Sequence, residues 1–432
     1  MINQGEKGTS SKNSVLASLQ TGFTDPVRDI LWGHIYLTPA LADLTKSVPF
    51  MRLHRIMQLG PTFCVYPGAT HTRASHSIGV YHLAKRVLVC LAERGADKWL
   101  SRKGVFSFLC AALLHDLGHF PFTHSLKELP LESHESLTAK IICSPPVKSL
   151  VAKAGGDPDF TAAIIDSEMN YTADNELTFY RSLLSGTLDP DKLDYLNRDA
   201  RYCGVPYGAQ DVDFILSCLH PHPERGADML EKGIPGIESL LFSKYLMYRT
   251  VYWHRLVRSA TAMIKKAVLG SLESGSLSAE ELYGLDDQGF FNLTNDPLIQ
   301  AVRDGKLYAP VAEFPFSSVD EKAQISLLDI KDRSRLEASL AGALADAGIF
   351  GIHGKIPPED LIIDIPEPVS FESNLYIKDE ACFFPESSSA FKREMIDTLV
   401  KSLRIIRVFL KNPPTMGKRI LNITQKWVKL LV

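Results

Sequence analysis

The sequence predicts a mainly α-helical protein with a smaller α+β region toward its C-terminus. Three observations carry that expectation. From about residue 25 to 270 the apolar residues recur at helical spacing, bounded by turn clusters such as Tyr66-Pro67-Gly68, with no sustained strand-type alternation. A stretch rich in Gly, Ser, Asp and Asn at 274–296, followed by Pro297, marks a break. Beyond it the pattern is mixed: 336–347 reads as a short helix, 361–365 and 374–377 as strands, and 391–410 as an amphipathic helix.

These signals divide the 432 residues into a polar, flexible arm at 1–22, a helical core at 23–272 and an α+β region at 273–432 that carries the basic amphipathic helix. With 45% hydrophobic and 22% charged residues the composition is that of an ordinary globular protein, which excludes collagen-like, disordered and disulfide-scaffold classes. The formal net charge of −3 provides no overall basic field for coating a nucleic acid. From Lys392 onward, however, ten Lys and Arg stand against Glu394 and Asp397, a local balance of +8 that keeps a nucleic-acid partner open as a second reading. The seven cysteines form no C-x-x-C pair and read as reduced thiols. Without a signal-peptide pattern or an apolar run of about 18 residues, a cytoplasmic protein with no membrane partner is expected.

The strongest local signal is His115-Asp116-Leu117-Gly118-His119, which follows an almost wholly apolar stretch at 105–114 that reads as a buried helix. A His and an Asp at the end of such a helix offer a nitrogen and an oxygen to one divalent metal, while Gly118 and Pro121 end the helix. In isolation a His-Asp dipeptide is more often a buried hydrogen-bonded pair. His76 lies one turn ahead of the stripe Val80, Leu83, Ala84, Val87, Leu88, Leu91, so its imidazole faces inward. Asp189-Pro190-Asp191-Lys192 reads as an N-cap, a first-turn proline and an acidic first turn, with Gly204 and Pro206 closing the helix. On that helix Asp191, Tyr195 and Asp199 share a face at i, i+4 and i+8, either as a chemically loaded surface or as a solvated one.

Several ordered motifs carry a family resemblance: VPFMRLHRIMQLG at 48–60, VYPGATHTR at 65–73, HSIG at 76–79, HDLGH at 115–119, PFTH at 121–124, His134-Glu135, and DPDKLDYLNRD at 189–199. Over roughly residues 25–270 the chain resembles the HD-domain deoxynucleoside triphosphate triphosphohydrolases, which implies a helical HD-domain, metal-dependent phosphohydrolase core. Residue by residue, the resemblance implies His76, His115, Asp116 and Asp191 as metal ligands. It places His119 and His134 at the reacting phosphates, His124 as proton donor to a leaving oxygen, and Arg73 and Lys192 on phosphates. Gln58 and Asp199 resemble the readers of the deoxyribose hydroxyl, with Tyr195 packed on the sugar and Tyr252 near the base.

The implied activity is hydrolysis of deoxynucleoside triphosphates to deoxynucleoside and triphosphate, with one divalent ion (Mn, Fe, Zn, Mg or Co) as cofactor, a nucleotide as substrate and a homo-oligomer as the assembly. The alternatives are an HD phosphohydrolase acting on another nucleotide, or a nucleotide-sensing or nucleic-acid-binding regulatory protein. Three departures from the family pattern stand out. Lys46, Met51 and His54 occupy positions where allosterically activated relatives carry an acidic residue, a glutamine and an arginine. Lys127, followed by Glu128, stands where an acidic partner of the leaving-group histidine is common, and Trp253 follows Tyr252 where some relatives have glutamine. No phosphate loop or strand-anchored dinucleotide fingerprint occurs, and His82, His220, His222 and His353 lack ligand-like spacing.

Overall fold

A computed structural model describes residues 14–172, 175–293, 295–351, 354–414 and 416–431; His353 and residues 1–13 of the expected arm lie outside these. The helices start and stop on local chemistry. The first, α1 (Val15–Gln20), is capped by the Ser14 hydroxyl, which accepts from the Ala17 amide, and it buries Val15 and Leu19 in the main core. Residues 15–20 were expected in the unstructured arm; two apolar side chains one turn apart suffice to dock them. Thr72 caps α2 (Arg73–Glu93), placing Arg73 and His76 in its first turn. Ser101 caps α3 (Arg102–Leu114), where every residue from Gly104 to Leu114 is buried, as an all-round apolar helix requires.

After α3 the chain turns through the HDLGH motif and meets α4 (His134–Ile142). Gly118 permits this close approach: its amide donates to the Thr138 hydroxyl at 2.8 Å, and a Cβ at 118 would lie 2.2 Å from the His134 carbonyl oxygen. Asp189 caps α5 (Pro190–Cys203), accepting from the Lys192 amide, and Gly204 ends it with φ 68°, as the cap residues predict. α2 packs against both α3 and α5. Further on, α6 (Ile234–Met247) passes through a π-helical turn, Tyr248–Tyr252, into α7 (Arg255–Glu273). That turn interrupts the regular ladder and points tyrosines at the site described below.

Among the described residues nine short strands form three sheets: β1 (Asp25–Asp29), β2 (Gly33–Leu37), β3 (Leu219–His222), β4 (Gly226–Met229), β5 (Ala309–Pro315), β6 (Leu361–Asp364), β7 (Tyr376–Ile377), β8 (Cys382–Phe383) and β9 (Ile405–Leu410). Their orders are β1-β2, β3-β4-β7-β8 and β5-β9-β6, antiparallel among the described pairs except β4 with β7. The first four strands lie in the half expected to lack them, being only four or five residues long and broken by Pro26 and Pro221.

The C-terminal region also differs from expectation in one element. The helical stripe at 391–410 ends as α9 (Arg393–Leu403), and residues 405–410 form β9, pairing with β5 and β6. Ile406 and Leu410, placed on the helix by spacing, therefore face a second core, built with α8 (Arg333–Asp346) and α10 (Gly417–Val428), while Ile396 and Leu403 of α9 pack into the first. The 336–347 helix and the 361–365 strand appear as α8 and β6. Residues 274–296, read as a break, bury Leu277, Leu282 and Phe290 in a third core with α7, Phe120 and Phe122. Among the described residues no helix is long and apolar enough to cross a membrane.

Candidate metal centre and substrate cleft

A cleft of about 380 Å³ opens where the start of α2, the end of α3, the inward face of α5 and the turn between α6 and α7 converge, with Met57–Thr62 and the loop after β6 completing its walls. Three of the expected metal ligands meet in it: donor atoms of His76, His115 and Asp116 all lie within 4.8 Å of one another. The fourth, Asp191, joins through its Oδ1, 2.9 Å from His76 Nε2 and 3.8 Å from His115 Nε2. Atoms sharing one ion with bonds of about 2 Å sit about 3 Å apart, so the spacing fits.

The two histidines differ in protonation. His115 Nδ1 lies 3.0 Å from the Ala112 carbonyl, which fixes the proton there and leaves Nε2 buried without a hydrogen-bond partner. His76 presents Nδ1 to Asp194 Oδ2 at 2.9 Å and Nε2 to Asp191. Burial disfavours a charge on this ring, yet Asp191 and Asp194 outweigh it and raise its pKa to about 10. Two imidazoles and two carboxylates around this point suit a divalent cation of the Mn, Fe, Co or Zn type.

Beside the metal donors stands a second cluster. Asp116 Oδ2 accepts from Arg73 at 2.9 Å while its Oδ1 lies 3.0 Å from His119 Nε2. The His119 and His134 rings stack with centroids 3.9 Å apart, and His124 lies edge-on to both, at 4.8 and 5.5 Å. Burial lowers His134 to about 3, so it sits in the cleft as neutral imidazole. The unpartnered buried atoms Gln58 Oε1, Arg73 Nε, His115 Nε2 and His119 Nδ1 all belong to residues lining this cleft, which is where a ligand would satisfy them.

On the sugar-reading side, Asp199 is held twice: His71 Nε2 lies 2.7 Å from Oδ1, and the Tyr252 hydroxyl donates to Oδ2 at 2.6 Å. Tyr195 and Tyr252 stand edge-on with centroids 6.5 Å apart. Tyr252, expected near a base, thus also positions a carboxylate. Lys192 departs from expectation, for it does not line the cleft. Its ammonium is held at 2.6 Å by Asp189 and at 3.5 Å by Glu372, because a buried cation needs a carboxylate.

Sequence reasoning missed Asp194, His71 and the α7 and post-β6 wall of Arg258, Glu367 and Val369. Asp194 was findable, since it stands three residues after Asp191 on one helix. Among the described residues no carboxylate pairs with His124, and Glu128, next to the Lys127 that stands at the usual acidic position, pairs with Lys265 at 2.5 Å.

The HD domain family matches residues 73–154, and the HD associated region matches 224–393. The chain is 33% identical over 319 residues to an uncharacterized protein, MJ1154, of Methanocaldococcus jannaschii, covering 70% of this chain and 65% of that one. It is 27% identical over 283 residues to the deoxynucleoside triphosphate triphosphohydrolase SAMHD1 of Gallus gallus, covering 58% of this chain and 45% of that protein. It therefore spans about half to two thirds of the length of these two relatives. A hypothetical protein from Aquifex aeolicus shares the fold, with a TM-score of 0.70 and 24% identity over 93% of this chain and 99% of that one. Helical scaffold and His/Asp cluster together define an HD-domain protein. The chain belongs to the HD-domain phosphohydrolase family.

Proposed function

We propose that the protein is a metal-dependent hydrolase that cleaves deoxynucleoside triphosphates into deoxynucleoside and triphosphate. The observation that carries this reading is that the donors of His76, His115, Asp116 and Asp191 share one cleft with Gln58, Tyr195 and Asp199. His76, His115, Asp116 and Asp191 would hold a divalent ion, which would supply Lewis-acid chemistry for activating water and for drawing charge from the phosphoryl group. Arg73, whose Nε is unpartnered, binds a phosphate oxygen while its other arm keeps Asp116 ionised. His119 and His134 line the phosphate path, and His124, whose pKa burial and the nearby His119, Arg73 and Lys127 hold well below the usual range, would donate to the leaving oxygen once an anionic phosphate chain raises its proton affinity. Gln58 Oε1 and Asp199 accept from the sugar hydroxyl, and Tyr195 closes the side on which a 2′-hydroxyl would project.

The similarity to a protein named as a deoxynucleoside triphosphate triphosphohydrolase supports this substrate class. In the basic C-terminal stretch Arg404 donates to the Pro366 carbonyl, Arg407 to Glu313 and the Trp253 carbonyl, and Arg419 to the Ala347 carbonyl, while Lys401, Lys418, Lys426 and Lys429 are exposed, so a nucleic-acid-binding role stays the alternative. Assembly as a homo-oligomer belongs to the proposal, supported by exposed Val48 and Met51, and light scattering measures it. The deciding experiment is chromatography of the products from a panel of dNTPs, NTPs and nucleoside monophosphates with Mn, Mg, Fe and Co. Deoxynucleoside plus triphosphate is the expected outcome; release of orthophosphate, or no turnover of any dNTP, overturns the assignment.

A further inference from the structure

Three cationic side chains line the cleft, and two are already neutralised. Arg73 pairs with Asp116 at 2.9 Å, and Arg258 pairs with Asp364 at 2.6 Å and Glu367 at 3.5 Å. Among the described residues Lys127 has no carboxylate within ion-pair reach and no hydrogen-bond partner, and its side chain is exposed at the cleft. It directly follows the turn Thr123–Leu126, which carries His124, and both side chains line the cleft that holds the stacked His119 and His134. Glu128, which would quench it from the neighbouring position, is drawn away to Lys265. An ammonium with no carboxylate partner, at the rim of a cleft where Arg73 and Arg258 each already face one, is a site for anionic oxygen.

We propose that Lys127 binds the phosphate chain of the substrate beyond the reacting phosphorus, so that the cleft selects nucleotides bearing two or more phosphates over monophosphates. This rests on the hydrolase reading above but is separable from it.

The test begins without turnover. Calorimetric titration of the full chain with inorganic triphosphate compares wild type with Lys127→Ala, Lys127→Arg and Lys127→Glu. Removing one charge-assisted contact is expected to weaken binding about tenfold in Lys127→Ala and more in Lys127→Glu, with Lys127→Arg within about threefold of wild type. Because Lys127 is exposed and unpaired, melting temperatures stay close to wild type, which separates lost binding from lost fold. In metal-loaded protein, Lys127→Ala is expected to lower kcat/KM for a dNTP about tenfold, chiefly through KM, with a smaller loss for the corresponding monophosphate. Equal triphosphate affinity in wild type and Lys127→Ala overturns the proposal, as do equal losses for triphosphate and monophosphate substrates. If wild type turns over no dNTP while triphosphate binding still depends on Lys127, the hydrolase reading fails and the Lys127 assignment stands.

Discussion

Asp194 Oδ2 lies 2.9 Å from His76 Nδ1, across the imidazole from the nitrogen that faces the metal donors, and the same carboxylate takes both arms of Arg198 and the indole of Trp32. A ligand histidine held by a carboxylate behind it has its ring orientation and tautomer set before any ion arrives. Gly79 is part of this arrangement, since a Cβ there would lie 2.0 Å from Asp194 Oδ1.

Asp194→Asn is therefore expected to weaken metal affinity about 10- to 100-fold while excess metal restores turnover, whereas His115→Ala and Asp116→Ala lose metal and nearly all hydrolysis. Metal content after dialysis, followed by metal titration of activity, separates the two behaviours. Full metal content in both alanine variants sinks the ligand assignment.

The sugar side predicts discrimination against ribonucleotides. A 2′-hydroxyl buried against Tyr195 without a partner costs about 1 to 3 kcal/mol, or roughly fivefold to a hundredfold in kcat/KM. Tyr195→Ala should relax the dNTP to NTP ratio with metal content unchanged. Tyr252→Phe, which deletes the hydroxyl that donates to Asp199, should cost about twofold to tenfold with dNTPs. Equal kcat/KM for dGTP and GTP, and likewise for the other bases, in the unsubstituted protein would show that this sugar reading is wrong.

Both guanidinium arms of Arg258 on α7 grip Asp364 of β6, at 2.9 and 2.6 Å, with both side chains buried. Asp364→Ala leaves the buried Arg258 with Glu367 at 3.5 Å as its remaining carboxylate and should cost up to about 3 to 5 kcal/mol in urea unfolding. The double variant Arg258→Met with Asp364→Leu should recover most of that loss. A double variant as unstable as the single one would show that the pair contributes more than mutual neutralisation.

His82 stacks on Trp32 with centroids 6.1 Å apart, and burial, aided by Arg86 and Lys85, pushes its pKa down to about 4. An unfolded histidine titrates near about 6.5. Between these values the unfolded chain takes up a proton that the folded ring refuses, so this stability is whole above about pH 6.5 and declines as the pH falls toward 4. His82→Gln should flatten the pH dependence of unfolding over that window by about 1 to 2 kcal/mol, allowing for partial solvent contact. An unchanged slope would remove His82 from the acid sensitivity.

Much of this site was readable along the chain because its signals are local. The Asp189 cap, Pro190 and Gly204 delimit α5 from neighbouring residues alone, and the apolar run into His115-Asp116 marks α3 as central wherever the rest of the protein lies. The family resemblance then implied His76, His115, Asp116 and Asp191 as a ligand set, and their donor atoms lie together in the cleft.

Contacts between distant segments were not readable in this way. Lys192, held at close range by Asp189, also meets Glu372, 180 positions later, and Asp199 is gripped by His71 and Tyr252 from opposite directions in sequence. The run Ile405–Leu410 suits a helix or a strand by composition, and pairing with β5 and β6 selects the strand. Helical period and capping depend on residues within about four positions of one another. The charge state of a lysine and the partner of a strand instead depend on which surface folding brings alongside, and at that point burial makes an unpaired group costly enough to settle the choice.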